Sequence, residues 1–279
     1  MIGICTDSNS QLPADLAQRF GVEVVPLTVV IDDREYLEGV DLGVDEFYEL
    51  YRAGRAPRIR FNQPSPGQFA MAYDELVARG CTQILSIHGV STCVGTLGAA
   101  RLAVHSVAVP VRIVDSGTSR FAVSCCVWAA GDAIAAGATL ERAAHIAESM
   151  ASSVGTVFVA AGPEPVPAQH ACGHGGRKVL ALGLDGVRVV RDADSVADAV
   201  NAMAGYALSW VGDGQDVERR LDIGVGCAHS DMLPIADALA HAVGESAHVA
   251  DVVRFRIGPS VGAETGPAAV SCVIFPARG

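Results

Sequence analysis

The sequence predicts an α/β protein: a doubly wound, mainly parallel sheet domain followed by a smaller C-terminal α/β (α+β) domain, with a ligand cleft between them. Three observations carry this reading. Short β-branched runs alternate with amphipathic helical segments along the chain. In the first half the connections between runs are too long for hairpins, which leaves parallel crossovers. Small polar clusters (Thr6-Asp7-Ser8, Ser91-Thr92, Asp115-Ser116) also recur where those runs end, the edge at which an open α/β sheet holds ligands.

Composition narrows the classes. The chain has 279 residues, 50% of them hydrophobic and 18% charged, which supplies a core and excludes intrinsic disorder. A formal charge of −11 argues against nucleic acid or an anionic membrane as partner, because both need basic surface. No basic region precedes the first apolar run, so no signal peptide is expected. The longest apolar stretch, Phe121 to Ala138, is interrupted by Ser124, Gly131 and Asp132, so no membrane span is expected. These features point to the cytoplasm. The eight cysteines are scattered through apolar segments, as small core residues are in a reducing compartment.

Taken in order, Met1 to Cys5 reads as a strand and Thr6-Asp7-Ser8 as its polar exit. Pro13 and Asp15 open a helix with Leu16 and Phe20 on one face, and Gly21 stops it. Val22 to Ile31 reads as one central strand, rich in β-branched residues. Residues 36–41 form a loop, 45–52 a helix, and Pro57 to Gly67 a proline-rich loop ahead of a helix from Gln68 to Arg79. Gln83 to Ile87 is a strand leading into a small, polar loop, Ser91 to Thr96. Leu97 to Val107 reads as helix and Val109 to Val114 as strand. Helices from Arg120 to Ala136 and from Leu140 to Ser153 close the first domain. Ser10, Thr118 and Ser195 are expected to cap helices.

After a strand from Thr156 to Ala161, the run Gly162-Pro163-Glu164-Pro165-Val166-Pro167 breaks the periodicity. The boundary is therefore expected at 160, giving domains 1–160 and 161–279. Val179–Leu182 and Val187–Val190 flank Asp185-Gly186, a hairpin signal. A helix from Ser195 to Trp210, a strand from Leu221 to Ala228 and a helix from Leu233 to Val243 follow. A strand from Val249 to Ile257, a glycine-rich loop from Gly258 to Pro267 and a last strand from Ala269 to Phe275 complete the chain.

Several short blocks follow one another along the chain: Thr6-Asp7-Ser8 with Leu12-Pro13, Val24-Val25-Pro26-Leu27, Gly39-Val40-Asp41 with Glu46-Phe47-Tyr48, and Gln63-Pro64-Ser65-Pro66. Ser86-Ile87-His88 with Gly95-Thr96, Asp115-Ser116, and Ile257-Gly258-Pro259 with Thr265-Gly266-Pro267 continue the series. In this order they resemble the DegV family of two-domain lipid-binding proteins. The resemblance implies a long-chain fatty acid held between two domains, no catalysis, no cofactor beyond that bound acid, and in some members presentation to a fatty-acid kinase. The head group is then expected at Phe61, Asn62, Gln63, Ser91, Thr92, Val94, Gly95, Thr96, Glu264 and Thr265.

Departures from the family pattern cluster at that head group. Arg60-Phe61-Asn62 stands where hydroxyl residues precede Gln-Pro, Val94 replaces a serine, Glu264 a histidine and Ala268 a glycine. Glu264 would repel a carboxylate placed beside it. Gly175-Gly176-Arg177 is the remnant of an interdomain segment, and Arg191-Asp192-Ala193-Asp194 replaces a basic stretch, which weakens the case for a kinase partner.

The same residues allow readings from other classes. A divergent member would bind another small hydrophobic ligand, or none. A small-ester hydrolase would pair Ser91 with His88 and orient the imidazole by Asp7 or Asp115, but no Gly-x-Ser-x-Gly elbow is present. His170, Cys172 and His174 with Cys227 and His229 are zinc-type ligands, without the spacing of a structural zinc site, so no metal is expected. The loop from Gly258 to Gly266 lacks the lysine of a phosphate loop.

Overall fold

The computed structural model describes residues 1–52, 58–89, 95–160, 177–183, 186–211 and 220–277. In chain order the first elements are β1 (Ile2–Asp7), α1 (Ala14–Phe20), β2 (Glu23–Val25), β3 (Thr28–Ile31), β4 (Arg34–Leu37), α2 (Val44–Arg52), β5 (Ile59–Asn62) and α3 (Pro66–Ala78). Then come β6 (Gln83–His88), α4 (Thr96–Ala103), β7 (Val111–Asp115), α5 (Phe121–Ala135) and α6 (Leu140–Ala151). The remainder is β8 (Gly155–Val159), β9 (Arg177–Gly183), β10 (Gly186–Ala193), α7 (Val196–Leu208), β11 (Leu221–Cys227), α8 (Leu233–Gly244), β12 (Val249–Arg256), α9 (Pro259–Thr265) and β13 (Val270–Pro276).

Two compact units result, Met1–Leu42 with Arg58–Ser152, and Gly43–Pro57 with Ser153–Gly279. The division differs from two consecutive segments because α2 clusters with the second unit, which makes the units nearly equal in length. Phe47 and Tyr48 on α2 are fully buried, and Tyr48 Oη donates to the carbonyl of Ile257 at 2.9 Å.

The first unit has a parallel sheet in the order β2-β1-β6-β7. Alternation along β1 and β6 sends Ile4, Leu85 and Ile87 to a core with α5 and α6, and Cys5 and Ile84 to a core with α3 and α4. The sheet is therefore doubly wound. A second, antiparallel sheet, β4-β3-β5, belongs to the same unit. It corrects three expectations. Val22 to Ile31 is two strands, since Pro26 lacks the N–H that would continue the ladder, and β2 is an edge strand. Part of the 36–41 loop is β4, and part of the proline-rich loop is β5. Short strands without clean alternation leave no periodic signal.

In the second unit one sheet runs β10-β9-β8-β13-β11-β12, antiparallel except for the β11–β12 pair. Asp185 lies outside the described residues, but β9 and β10 pair around it in the expected antiparallel register. The glycine-rich loop after β12 is instead largely α9. Pro259 sits in its first turn, where its fixed φ suits a helix start, and a side chain at Gly262 would strike Tyr48 Oη. Of the expected caps, Ser195 accepts from Asp198 N, whereas Ser10 lies in a turn and Arg120, not Thr118, precedes α5. Among the described residues no helix is long and apolar enough to cross a membrane.

Candidate functional site

The parallel sheet has one switch point. From β1 the chain moves outward to β2, and from β6 it moves the other way to β7, so a crevice opens at the C-terminal ends of β1 and β6. Asp7 and His88 are the last residues of those two strands.

Beside this edge, the exit of β5 and the start of α4 enclose an open groove of about 580 Å³ lined by Phe61, Asn62, Gln63, Pro64, Pro66, Gly95, Gly98, Ala99 and Leu102. Local sequence builds both walls. On one side, Ser65 accepts from the N–H of Gln68 while Gln68 Oε1 accepts from the N–H of Ser65 at 2.9 Å, a capping box that starts α3 at Pro66 rather than at Gln68. On the other, Gly95 is the N-cap of α4, and any Cβ there would collide with Gln63 Oε1. Glycine at this point permits the close approach. None of these described lining residues is ionisable, and the N-terminus of α4, with no side chain on its N-cap, supplies partial positive charge.

The groove thus unites Phe61, Asn62, Gln63 and Gly95 from the expected head-group set. Thr96 is 3% exposed and lines no part of it. Glu264 and Thr265 lie on α9 in the second unit, where Glu264 is exposed and Thr265 Oγ1 donates to the carbonyl of Val261 at 3.1 Å. Ser91, Thr92 and Val94 lie outside the described residues. Arg60 is exposed and paired with Asp33 at 2.9 Å.

Between β1, β6 and α3 runs a chain of buried polar side chains. Asp7 Oδ2 lies 2.6 Å from His88 Nδ1, His88 Nε2 lies 2.7 Å from Ser86 Oγ, and Ser86 Oγ lies 2.9 Å from Tyr73 Oη. Ser86, His88 and Tyr73 have no exposed surface, and Asp7 is 4% exposed. Burial raises the Tyr73 hydroxyl and the neighbouring Cys5 thiol well above their ordinary values, so neither ionises near neutrality. In the tautomer that places the proton on Nδ1, Asp7 accepts from it, His88 Nε2 accepts from Ser86, and Ser86 accepts from Tyr73. The expected orienting carboxylate is present; among the described residues the hydroxyl on Nε2 is that of Ser86, and Ser91 lies outside them. A readable signal was the i, i+2 spacing of Ser86 and His88 in an otherwise apolar strand, which puts both on one face.

For the zinc ligands, His170, Cys172 and His174 lie outside the described residues. Cys227 is buried in β11, and its thiol is raised by burial. His229 Nδ1 accepts from Asp231 N at 3.1 Å, with Glu49 Oε1 3.5 Å from Nε2. Among the described residues no three His, Cys, Asp or Glu side chains could hold a metal ion.

A doubly wound α/β unit with a groove at the C-terminal edge of its parallel sheet, joined to a second α/β unit, is the class these elements define. A family model described as "Uncharacterised protein, DegV family" matches residues 1–162. The chain belongs to the DegV family. It is 34% identical over 157 residues to a DegV domain-containing protein of Streptomyces coelicolor, covering 56% of this chain and 55% of that one. Over 141 residues it is also 34% identical to a DegV domain-containing protein of Deinococcus radiodurans, covering 50% of each. The chain spans about half the length of the curated relatives it matches. Among solved structures it resembles a fatty-acid-binding DegV family protein of Thermus thermophilus, with TM-score 0.82, 24% identity and 99% of each chain covered. It also resembles DegV, a fatty acid binding protein of Bacillus subtilis, with TM-score 0.78, 19% identity and 99% of each covered.

Proposed function

We propose that this protein binds a long-chain fatty acid, with the carboxylate at the groove of Phe61, Asn62, Gln63 and Gly95 and the hydroxyls of Ser91 and Thr92 completing the head-group site. The observation that carries this reading is the meeting of the β5 exit with the N-cap of α4. A carboxylate needs several donors to leave water. The Asn62 and Gln63 amides and the first N–H groups of α4 offer them in place of the hydroxyls that the family pattern would supply. Each methylene buried along the acyl chain contributes about 0.8 kcal/mol. The fatty acids bound by the Thermus and Bacillus proteins support the same ligand class.

Binding without catalysis fits the buried chain, because Ser86 has no surface for an acyl carbon to approach. Free, buried cysteines such as Cys5 and Cys272 suit the reducing cytoplasm. Delivery to a fatty-acid kinase is not included: residues 191–194 hold one arginine against two aspartates.

Native mass spectrometry and organic extraction of the purified protein test the reading. One long-chain acid per chain is expected. An empty protein that takes up neither palmitate nor oleate would overturn it. A neutral lipid in the extract would favour the second reading, a binder of another hydrophobe, which rests on the absence of ionisable side chains among the described groove residues. Ester hydrolysis lost in Ser91→Ala would favour a hydrolase.

A further inference from the structure

We infer that His88 is a positioning residue for the groove, acting through the hydrogen-bonded chain it centres rather than by touching the ligand; the ligand arm of its test rests on the fatty-acid reading. His88 links the end of β1, the residue that follows β7 and the first two turns of α3. Its Nδ1–H reaches Asp7 at the end of β1, and Asp7 Oδ1 also accepts from Asn9 N at 3.1 Å, which shapes the exit of that strand. The His88 carbonyl accepts from Ser116 N at 2.9 Å, just past β7. The imidazole meets the ring of Phe69 edge-on, with centroids 5.1 Å apart, in the first turn of α3. Through Ser86 the same ring reaches Tyr73, one turn further along that helix. Pro66, which opens α3, lines the groove with Phe61 to Pro64 ahead of it.

A polar chain in this layer is a costly way to hold a helix on a sheet. Desolvating the Asp7 carboxylate offsets much of what its hydrogen bonds return, and apolar side chains of equal volume hold such a layer as well or better. Hydrogen bonds, unlike apolar contacts, have one correct length and direction. Asp7, His88, Ser86 and Tyr73 therefore set the height and rotation of α3 over β1 and β6. The groove wall at Phe61–Pro66 follows α3, because the Ser65–Gln68 capping box couples them within three residues.

The test compares His88→Phe with Leu140→Ala, which weakens the core on the opposite face of the same sheet. Both are studied at a temperature where circular dichroism reports them folded. His88→Phe is expected to bind palmitate roughly tenfold more weakly, in the range of residues that modulate a site without touching its ligand. In the ligand-free protein it is expected to speed amide exchange over residues 59–68 and 95–103. Leu140→Ala is expected to lower the melting temperature while leaving affinity and exchange in those segments near wild type. If His88→Phe does not fold, Asp7→Asn carries the same expectation, since it keeps the shape but leaves one acceptor oxygen where His88 Nδ1 and Asn9 N each need one. Wild-type affinity and wild-type exchange in either variant would overturn the inference. If the wild type itself fails to bind palmitate, the fatty-acid reading falls, and exchange in the ligand-free protein decides the role of His88 alone.

Discussion

Gly95 and Gln63 share one volume: the space that a Cβ on Gly95 would fill is held by the Gln63 side-chain oxygen. The backbone of Gly95, at φ −95° and ψ −16°, is open to any residue, so only Gln63 demands glycine. In Gly95→Ala the far end of a flexible side chain must move, at a cost of about 1 kcal/mol, the low end for overpacking. Gln63 then leaves the groove. A palmitate titration is expected to show weaker binding with little change in melting temperature. Unchanged affinity would remove Gln63 from the head-group site.

Arg120, immediately before α5, sits at φ 60° and ψ −143°, a region close to glycine-only. Such strain costs on the order of 1–3 kcal/mol. Arg120→Gly and Arg120→Ala lose the same side-chain contacts, but only glycine releases the backbone. Glycine's unfolded-state entropy takes back about 0.5–1 kcal/mol. Thermal melts are therefore expected to place Arg120→Gly above Arg120→Ala. The reverse order would mean that the backbone is not strained there.

Asp45 on α2 accepts from both terminal nitrogens of Arg256, at 2.5 and 3.3 Å. The arginine holds its carboxyl below the usual carboxylate range. A group whose folded pKa is depressed stabilises the fold at neutral pH and loses that contribution as pH falls through the folded value, here below about pH 4. The pair is more than half exposed on the Asp45 side, so its worth is about 1 kcal/mol or less. Urea unfolding is expected to separate wild type from Asp45→Asn at pH 7 and to bring them together at low pH. A gap that persists at low pH would assign the effect to packing of α2 instead.

Cys126 and Cys272 are fully buried and their thiols are pushed up to about 12 by burial. Thiolate is the species that alkylates, so neither is expected to react with iodoacetamide in the native protein at pH 8. Both are expected to react once guanidinium unfolds the chain. Native alkylation at either site, read by peptide mass spectrometry, would show that its layer opens.

Much of the fold was legible because its signals are local. The long helices α3, α5, α6, α7 and α8 and the interior strands β1, β6, β11 and β13 fall close to the residues that periodicity assigns. Pro26 divided one expected strand into β2 and β3, and β4 and β5 are too short to announce themselves. The polar edge was also visible, since Asp7, His88 and Ser116 all stand at strand ends. Which hydroxyl His88 would meet was not, because Ser86 lies in mid-strand and reads as a small core residue until Tyr73 of α3 is placed over it.

By itself, the sequence determined the alternation of strands and helices, the family, and the proline-rich segment that lines the groove. Periodicity and turn chemistry act within a few residues, and a single chain displays them completely. Tertiary structure alone decided that α2 joins the second unit through Tyr48 and Arg256, that Gly95 gives way to Gln63, and that Asp7, His88, Ser86 and Tyr73 form one chain. Asp7 and His88 are 81 positions apart. Their contact depends on strand order and on the face each side chain takes in the sheet, and only the packed sheet sets both.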